Sequence, residues 1–81
     1  MNQDLRQKPV RLEVSRGNVW KTVIRFDGAD ERDSEVVQAA ALALALVGGN
    51  HWRICTDEHM PSPLMCLLSF NTGWQIAGGA L

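Results

Sequence analysis

The chain has 81 residues, of which 46% are hydrophobic and 21% are charged, and its formal net charge is −1. This balance is typical of a folded domain and excludes a disordered tail. At this length one domain is the maximum and its core is thin, so we expect support from a partner chain.

The chain carries no predicted targeting or membrane segment. Residues 1–8 are polar and lack the apolar run of a secretory signal, and no stretch approaches the roughly 18 apolar residues of a membrane span. Two cysteines are too few for a disulfide scaffold and fit a reducing compartment. We therefore expect a cytoplasmic protein without a membrane partner.

Charge is divided unevenly along the chain. Residues 1–26 carry six bases and two acids, a net charge of +4, whereas residues 27–35 carry five acids and one base, a net charge of −4. The remainder contributes −1. The protein is dipolar rather than basic, which argues against a dedicated nucleic-acid binder.

The first two predicted strands form a hairpin. Val10, Leu12 and Val14 alternate with polar residues, as in a strand with one buried face. A turn at residues 16–18 leads into a second strand at residues 19–26, which is rich in β-branched and aromatic residues. Strict alternation places Trp20, Thr22, Ile24 and Phe26 on the helix side, and Lys21 and Arg25 on the other side.

A helix of about 17 residues is predicted, because its body from Glu35 to Val47 is rich in Ala and Leu, the acids from Asp30 to Glu35 suit its N-terminus, and Gly48-Gly49 ends it. Residues 41–46 also alternate with the period of a strand, but helix propensity and the two end signals outweigh that pattern. Three residues are suitable N-caps: Asp30, Asp33 and Ser34.

Three further strands are predicted at residues 51–56, 64–70 and 74–77. The order ββαβββ predicts a two-layer α+β domain at residues 10–77, with one helix on a mostly antiparallel sheet of about five strands. Residues 1–9 are expected to be flexible and 78–81 to form a tail. The third strand can pair with the first, in the order 2-1-3-4-5, or with the second, in the order 1-2-3-4-5; antiparallel pairing favours the first.

Two registers are possible for the hairpin of the third and fourth strands. Placing Cys55 opposite Cys66 would permit a disulfide, whereas pairing Trp52 with Phe70 buries larger side chains and separates the two sulfur atoms. We favour the second register, with Ile54 opposite Leu68 and no disulfide. The predicted residues facing the helix are Trp20, Ile24, Phe26, Trp52, Ile54, Leu68 and Phe70.

No constellation of residues indicates a reaction. His51, Cys55, His59 and Cys66 are metal-ligating types, but residues four apart on a strand lie about 13 Å apart, too far to share a zinc ion. Cys55 near a His and Asp57 is the only local nucleophile arrangement, and nothing near it in sequence favours the thiolate. We expect no catalytic residue, cofactor or metal, and no enzymatic activity.

The helix carries more apolar surface than one sheet can cover. From Val36 to Val47 only Gln38 is polar, whereas a helix lying on a sheet needs one apolar stripe. Either the extra leucines fold over the sheet edge, or they bind a protein partner or a second copy. We assign Val37, Ala40, Leu44 and Val47 to the sheet, and Leu42, Leu46, Gln38 and Glu35 to a partner-binding surface.

A second candidate surface lies on the uncovered sheet face. Alternation brings several bases there, and such a face can bind phosphate, although the stacking aromatics of single-strand binders are expected inside. The residues are Arg11, Lys21, Arg25 and Arg53.

The layout of strand Lys21–Phe26, Ala-rich segment Ala39–Ala43 and strand Trp52–Ile54 resembles that of small proteins carried by phages and prophages, including some anti-CRISPR proteins. The resemblance covers the architecture of residues 10–77 and includes no diagnostic motif. It implies a host effector complex as partner and no chemistry of the protein's own, and it assigns no site residue.

The expected function is therefore a non-enzymatic protein-binding module, and the resemblance implies inhibition of a bacterial defence complex. The alternative is a small homodimeric nucleic-acid-binding or regulatory protein that uses the basic sheet face.

Overall fold

The computed structural model describes residues 8–77, which form one helix and five strands. The elements are β1 (Pro9–Arg16), β2 (Val19–Asp27), α1 (Glu31–Gly48), β3 (Trp52–Thr56), β4 (Pro63–Leu67) and β5 (Trp74–Ile76). All neighbouring strands are antiparallel and their order is β2-β1-β3-β4-β5. The predicted α+β fold and the favoured strand order are confirmed. The expected N-terminal and C-terminal segments lie outside the described residues, except for Lys8 and Pro9.

Both ends of α1 are determined by local backbone chemistry. Asp30 is the N-cap, with an extended backbone, and its Oδ1 accepts a hydrogen bond from the Asp33 N–H at 3.0 Å. Gly49 ends the helix with φ 71°, a conformation that glycine adopts without strain, and its N–H donates to the Ala45 carbonyl. The structure thus selects Asp30 among the three candidate caps.

The core lies between α1 and one face of the sheet. The helix contributes Ala41 and Ala45, whose small side chains let its backbone lie close to the strands. The Trp74 indole N–H donates to the Gln38 carbonyl oxygen at 2.9 Å and ties β5 to the helix. The sheet contributes the buried residues Val10, Leu12, Trp52, Ile54 and Leu67.

A β-bulge in β2 changes which of its residues face the core. Leu12 lies opposite Ile24, but the next residue of β1, Glu13, lies opposite Thr22, so Val23 is an extra residue. One extra residue reverses the alternation of side chains along the rest of the strand. Ile24 therefore remains on the helix side, whereas Thr22 lies on the opposite face.

The bulge also moves two residues that the sequence pattern assigned to particular faces. Trp20 lies opposite Ser15, on the face away from the helix, so the prediction that it faces the helix is wrong. Lys21 lies opposite Val14, on the helix side, so its placement on the open sheet face is wrong as well.

The register of β3 and β4 also differs from the predicted one. Trp52 lies opposite Leu67 and Ile54 opposite Met65, a shift of three residues toward the start of β4. The strand ends at Leu67 because a turn begins at Ser69, whose carbonyl oxygen accepts a hydrogen bond from the Gly73 N–H. The two residues predicted to complete the core, Leu68 and Phe70, lie beyond β4 and are exposed.

This register brings both cysteines to the face away from the helix. Cys66 lies opposite Arg53, which shares a face with Cys55, so the prediction of opposite faces is wrong. Both are nevertheless free thiols; Cys55 is fully buried and Cys66 is half-buried. Burial raises the pKa of the Cys55 thiol.

The core assignment predicts unequal costs for the same substitution at two isoleucines. Ile54 is 4% exposed and Ile24 is 48% exposed. We expect Ile54→Ala to reduce the free energy of unfolding by about 2–5 kcal/mol and Ile24→Ala by about 1 kcal/mol. Urea denaturation of the two variants tests this, and equal costs would show that the exposed edge of β2 is misassigned.

The cysteine positions predict two rates of thiol modification. In the native protein we expect Cys66 to react with a thiol reagent such as dithionitrobenzoate, and Cys55 to react only after unfolding, because it is fully buried and its thiolate is disfavoured. Absorbance measured with and without denaturant counts the thiols. The Cys66→Ser variant is the control, and fast modification of that variant would contradict the burial of Cys55.

Candidate protein-binding site

The helix is rotated relative to the orientation that the sequence predicted. Ala41 and Ala45 contact the sheet, and Val37 and Leu42 pack against the same core. Val37, Ala41 and Ala45 recur every four positions and Leu42 lies beside them, so these residues form the inner stripe of α1. The predicted sheet-facing residues Ala40, Leu44 and Val47 are exposed instead, so that assignment is wrong.

The surface of α1 away from the sheet is continuously apolar. Val36 is 61% exposed, Leu46 64% and Val47 88%. We call this surface the outward face. Between residues 36 and 47 every exposed residue is apolar, and together these residues are Val36, Ala39, Ala40, Ala43, Leu44, Leu46 and Val47.

The four residues predicted to bind a partner are divided between the two sides of the helix. Leu46 and Glu35 are exposed, as a binding role requires. Leu42 is partly buried against the core, so its assignment to a separate surface is wrong. Gln38 is partly buried, and its side-chain amide donates to Ser34 Oγ at 2.9 Å, so it is part of the fold rather than of an open surface.

The sheet face away from the helix carries a network of charged side chains that we call the ion-pair network. Glu13 lies at its centre and is only 3% exposed. Arg53 Nε donates to Glu13 Oε1 at 2.7 Å, and Arg11 Nε donates to Glu13 Oε2 at 2.8 Å. The strand pairing explains the first contact, because Glu13 and Arg53 lie directly opposite each other on β1 and β3.

The network continues to both sides of Glu13. Asp57 accepts hydrogen bonds from Arg11 at 3.1 Å and from Arg25 at 3.2 Å. At the other end, the Arg53 guanidinium lies 4.3 Å from the centre of the Trp20 ring, a cation–π contact. The bulge creates this contact, because it turns Trp20 to the side of the arginines.

The ion pairs shift the pKa values of both carboxylates. Burial of Glu13 opposes ionisation, but the hydrogen bonds from Arg53 and Arg11 outweigh it and hold the pKa of Glu13 below its usual value. For Asp57, hydrogen bonds from Arg25 and Arg11 likewise outweigh partial desolvation and lower its pKa. Both residues are therefore ionised at neutral pH.

This arrangement limits what the basic residues can bind. Three of the four predicted surface residues, Arg11, Arg25 and Arg53, share the face and contact two carboxylates, and Lys21 lies on the other side of the sheet. A phosphate would have to compete with Glu13 and Asp57 for the same guanidinium groups.

A shallow cleft of about 250 Å³ separates the C-terminal end of α1 from the sheet. Its volume is slightly below the usual range of ligand pockets, and no set of polar side chains among the described residues converges on it. Two residues of the outward face, Leu44 and Val47, reach the rim of this cleft, and the other lining residues are Val14, Arg16, Gly48, Asn50 and Trp52.

The described residues also bear on metals and membranes. Across residues 8–77, no three His, Cys, Asp or Glu side chains come together in a metal-binding arrangement. Within the same range, no helix combines the length and apolarity needed to cross a membrane.

Comparison with protein-family models, with curated proteins and with solved structures found no match.

The ion-pair network predicts a specific effect of acid on stability. Because folding lowers the pKa of Glu13 from about 4.5, its ionic contribution is present above that value and is lost as pH falls through the folded-state pKa. Glu13→Gln leaves the Arg53 guanidinium without a carboxylate partner and leaves Arg11 with Asp57 alone, so we expect the free energy of unfolding to fall by about 1–3 kcal/mol at pH 7. Urea denaturation at pH 7 and pH 3 measures this change in the free energy of unfolding.

The control for this prediction is Glu35→Gln, which removes the same charge from an exposed position of α1. We expect the difference in free energy of unfolding between the wild type and Glu13→Gln to shrink from pH 7 to pH 3. Glu35→Gln should have only a small effect on this free energy, through its charge near the N-terminus of the helix. A Glu13→Gln difference that stays constant over this range would contradict the lowered pKa.

Proposed function

We propose that this protein is a non-enzymatic protein-binding module and that it binds through the outward face of α1. The observation that carries the proposal is the exposure of Val36, Leu46 and Val47, with only apolar residues between them on the same face. A fold needs one apolar stripe on such a helix, and that stripe is already provided by Ala41 and Ala45.

The energetic argument concerns the side chains left in water. Full burial of a Val or Leu side chain contributes about 1.5–3 kcal/mol, so covering Val36, Leu46 and Val47 offers several kcal/mol to an association. Extended exposed apolar patches on small proteins mark interaction sites. The outward face has this character along three turns of α1.

We further propose that the module acts by occupying a surface of its partner, without chemistry of its own. Inhibition of a bacterial defence complex is the use that the architectural resemblance to small phage proteins implies. A rigid helix on a small domain suits this mode of action, because an apolar helix face fits a groove on another protein.

The alternative function, nucleic-acid binding by the open sheet face, has weaker support. Arg11, Arg25 and Arg53 are each engaged by Glu13 or Asp57. The three guanidinium groups and two carboxylates leave only a small positive excess, whereas phosphate binding depends on uncompensated cations.

Site-specific photocrosslinking tests the proposed surface. A benzophenone amino acid replaces Leu46 in the full chain, expressed in the cells from which the sequence comes, and irradiation captures what contacts the outward face. We expect a defined protein product, identified by mass spectrometry. Binding between the purified components should then weaken more than about tenfold with Val36→Glu, because a charge is buried without a partner.

The control places the same amino acid at Met60, which is 78% exposed in the loop between β3 and β4. No defined product is expected there. Absence of any protein product from position 46, including products with the chain itself, would contradict the proposal. A salt-sensitive complex with DNA or RNA that depends on Arg25 but not on Leu46 would support the alternative.

A further inference from the structure

We propose that the outward face of α1 binds a second copy of this chain, with the two helices antiparallel across a twofold axis. This inference rests on the proposed function and names the partner. It begins from spacing: Arg32, Val36, Ala39, Ala43 and Leu46 follow one another at intervals of four, three, four and three residues. That is the 3.5-residue period of a helix-pairing seam.

The side-chain sizes along this seam suit an antiparallel pair of identical helices. With the twofold axis at the level of Ala41, Ala39 lies opposite Ala43 of the partner subunit, and Val36 lies opposite Leu46 of the partner subunit. The central alanines let the two backbones approach to about 8 Å. The larger side chains fill the space at both ends, and symmetry repeats each contact.

The charges of α1 select the antiparallel orientation. Its first turn is acidic, with Glu31 and Asp33, and its last turn contains no base. Parallel pairing would bring the acidic turns of two copies together, whereas antiparallel pairing separates them by the length of the helix, about 27 Å. The two helix dipoles then also oppose each other.

Arg32 strengthens this argument. It is exposed at the N-terminal end of the seam and, within residues 8–77, forms no ion pair. In the antiparallel pair it lies beside the C-terminal end of the partner helix, whose free carbonyl groups carry partial negative charge. Each chain thus supplies the base that the last turn of the other helix lacks.

The sheet edges are poor alternatives for self-association. β2 is an edge strand, but the bulge at Val23 interrupts it, and Lys21 and Arg25 lie along it. β5, the other edge, has three residues. Bulges, charged residues and short strands all disfavour pairing between edges.

Sedimentation velocity of the purified protein over a concentration series tests the inference. We expect a monomer–dimer equilibrium that the double substitution Val36→Glu, Leu46→Glu weakens at least about hundredfold. Met60→Glu adds charge outside the helix and should leave it unchanged. Arg32→Gln should weaken dimerisation about three- to thirtyfold at low salt, and Arg32→Lys should restore the wild-type affinity.

Disulfide crosslinking tests the orientation without introducing charge. In a Cys66→Ser background, chains carrying Ala39→Cys are mixed with chains carrying Ala43→Cys. Antiparallel pairing predicts that the mixed disulfide forms fastest, because these positions face each other, whereas parallel pairing predicts disulfides between identical chains. Crosslinks between identical chains that dominate would overturn the proposed orientation.

The outcomes separate this inference from the proposed function. A purified protein that remains monomeric at all concentrations, or a dimer that the helix substitutions leave unchanged, overturns the second copy as the occupant. A crosslink from position 46 to a different protein, with no product between two copies, also overturns the second copy as the occupant, but it supports the outward face as a binding surface. Crosslinks between two copies at position 46, together with the mixed disulfide, support both.

Discussion

The close contact between two alanines of α1 and one face of the sheet determines what the remaining surfaces must do. One helix can cover one face of a five-stranded sheet, so the opposite sheet face and the back of the helix are both left to water. On the sheet, Arg11 and Arg53 cover Glu13 and satisfy its two oxygens. On the helix no comparable arrangement exists among the described residues, because its outward side chains from Val36 to Val47 are apolar. That difference is why a binding role is assigned to the helix.

The order of elements, the strand order and the helix ends follow from local signals in the sequence. Asp30, Gly49 and the alternation in β1 act over a few residues, and local propensity is reliable at that range. The faces were harder to predict, because one inserted residue reverses them: Val23 carries no turn or glycine signal, yet it moves Trp20 to the other side of the sheet. The rotation of α1 was obscured for another reason, since a helix that is apolar on nearly all sides does not indicate which side is buried.

The ion-pair network shows how much of a site the alternation pattern can reveal. The alternation pattern correctly places Arg11, Arg25 and Arg53 on one face, but it shows Glu13 only as an ordinary polar position of β1. Its burial depends on the register that places Arg53 directly opposite, and that register joins residues 40 apart in the chain. A buried carboxylate with two guanidinium partners contributes little net stability over an apolar residue, but it is costly to break. The network therefore favours one register of β1 and β3 over its neighbours.

Stability and association are coupled in a domain of this size. The core contains seven buried apolar residues around the helix contact, and four large side chains of α1 remain outside it: Val36, Leu44, Leu46 and Val47. A partner that covers these side chains binds only the folded state, because the face exists only when α1 is formed and docked. Binding therefore adds to the free energy of unfolding in proportion to the logarithm of partner concentration. The apolar side chains that folding leaves in water are therefore those whose burial in a complex would stabilise the folded state.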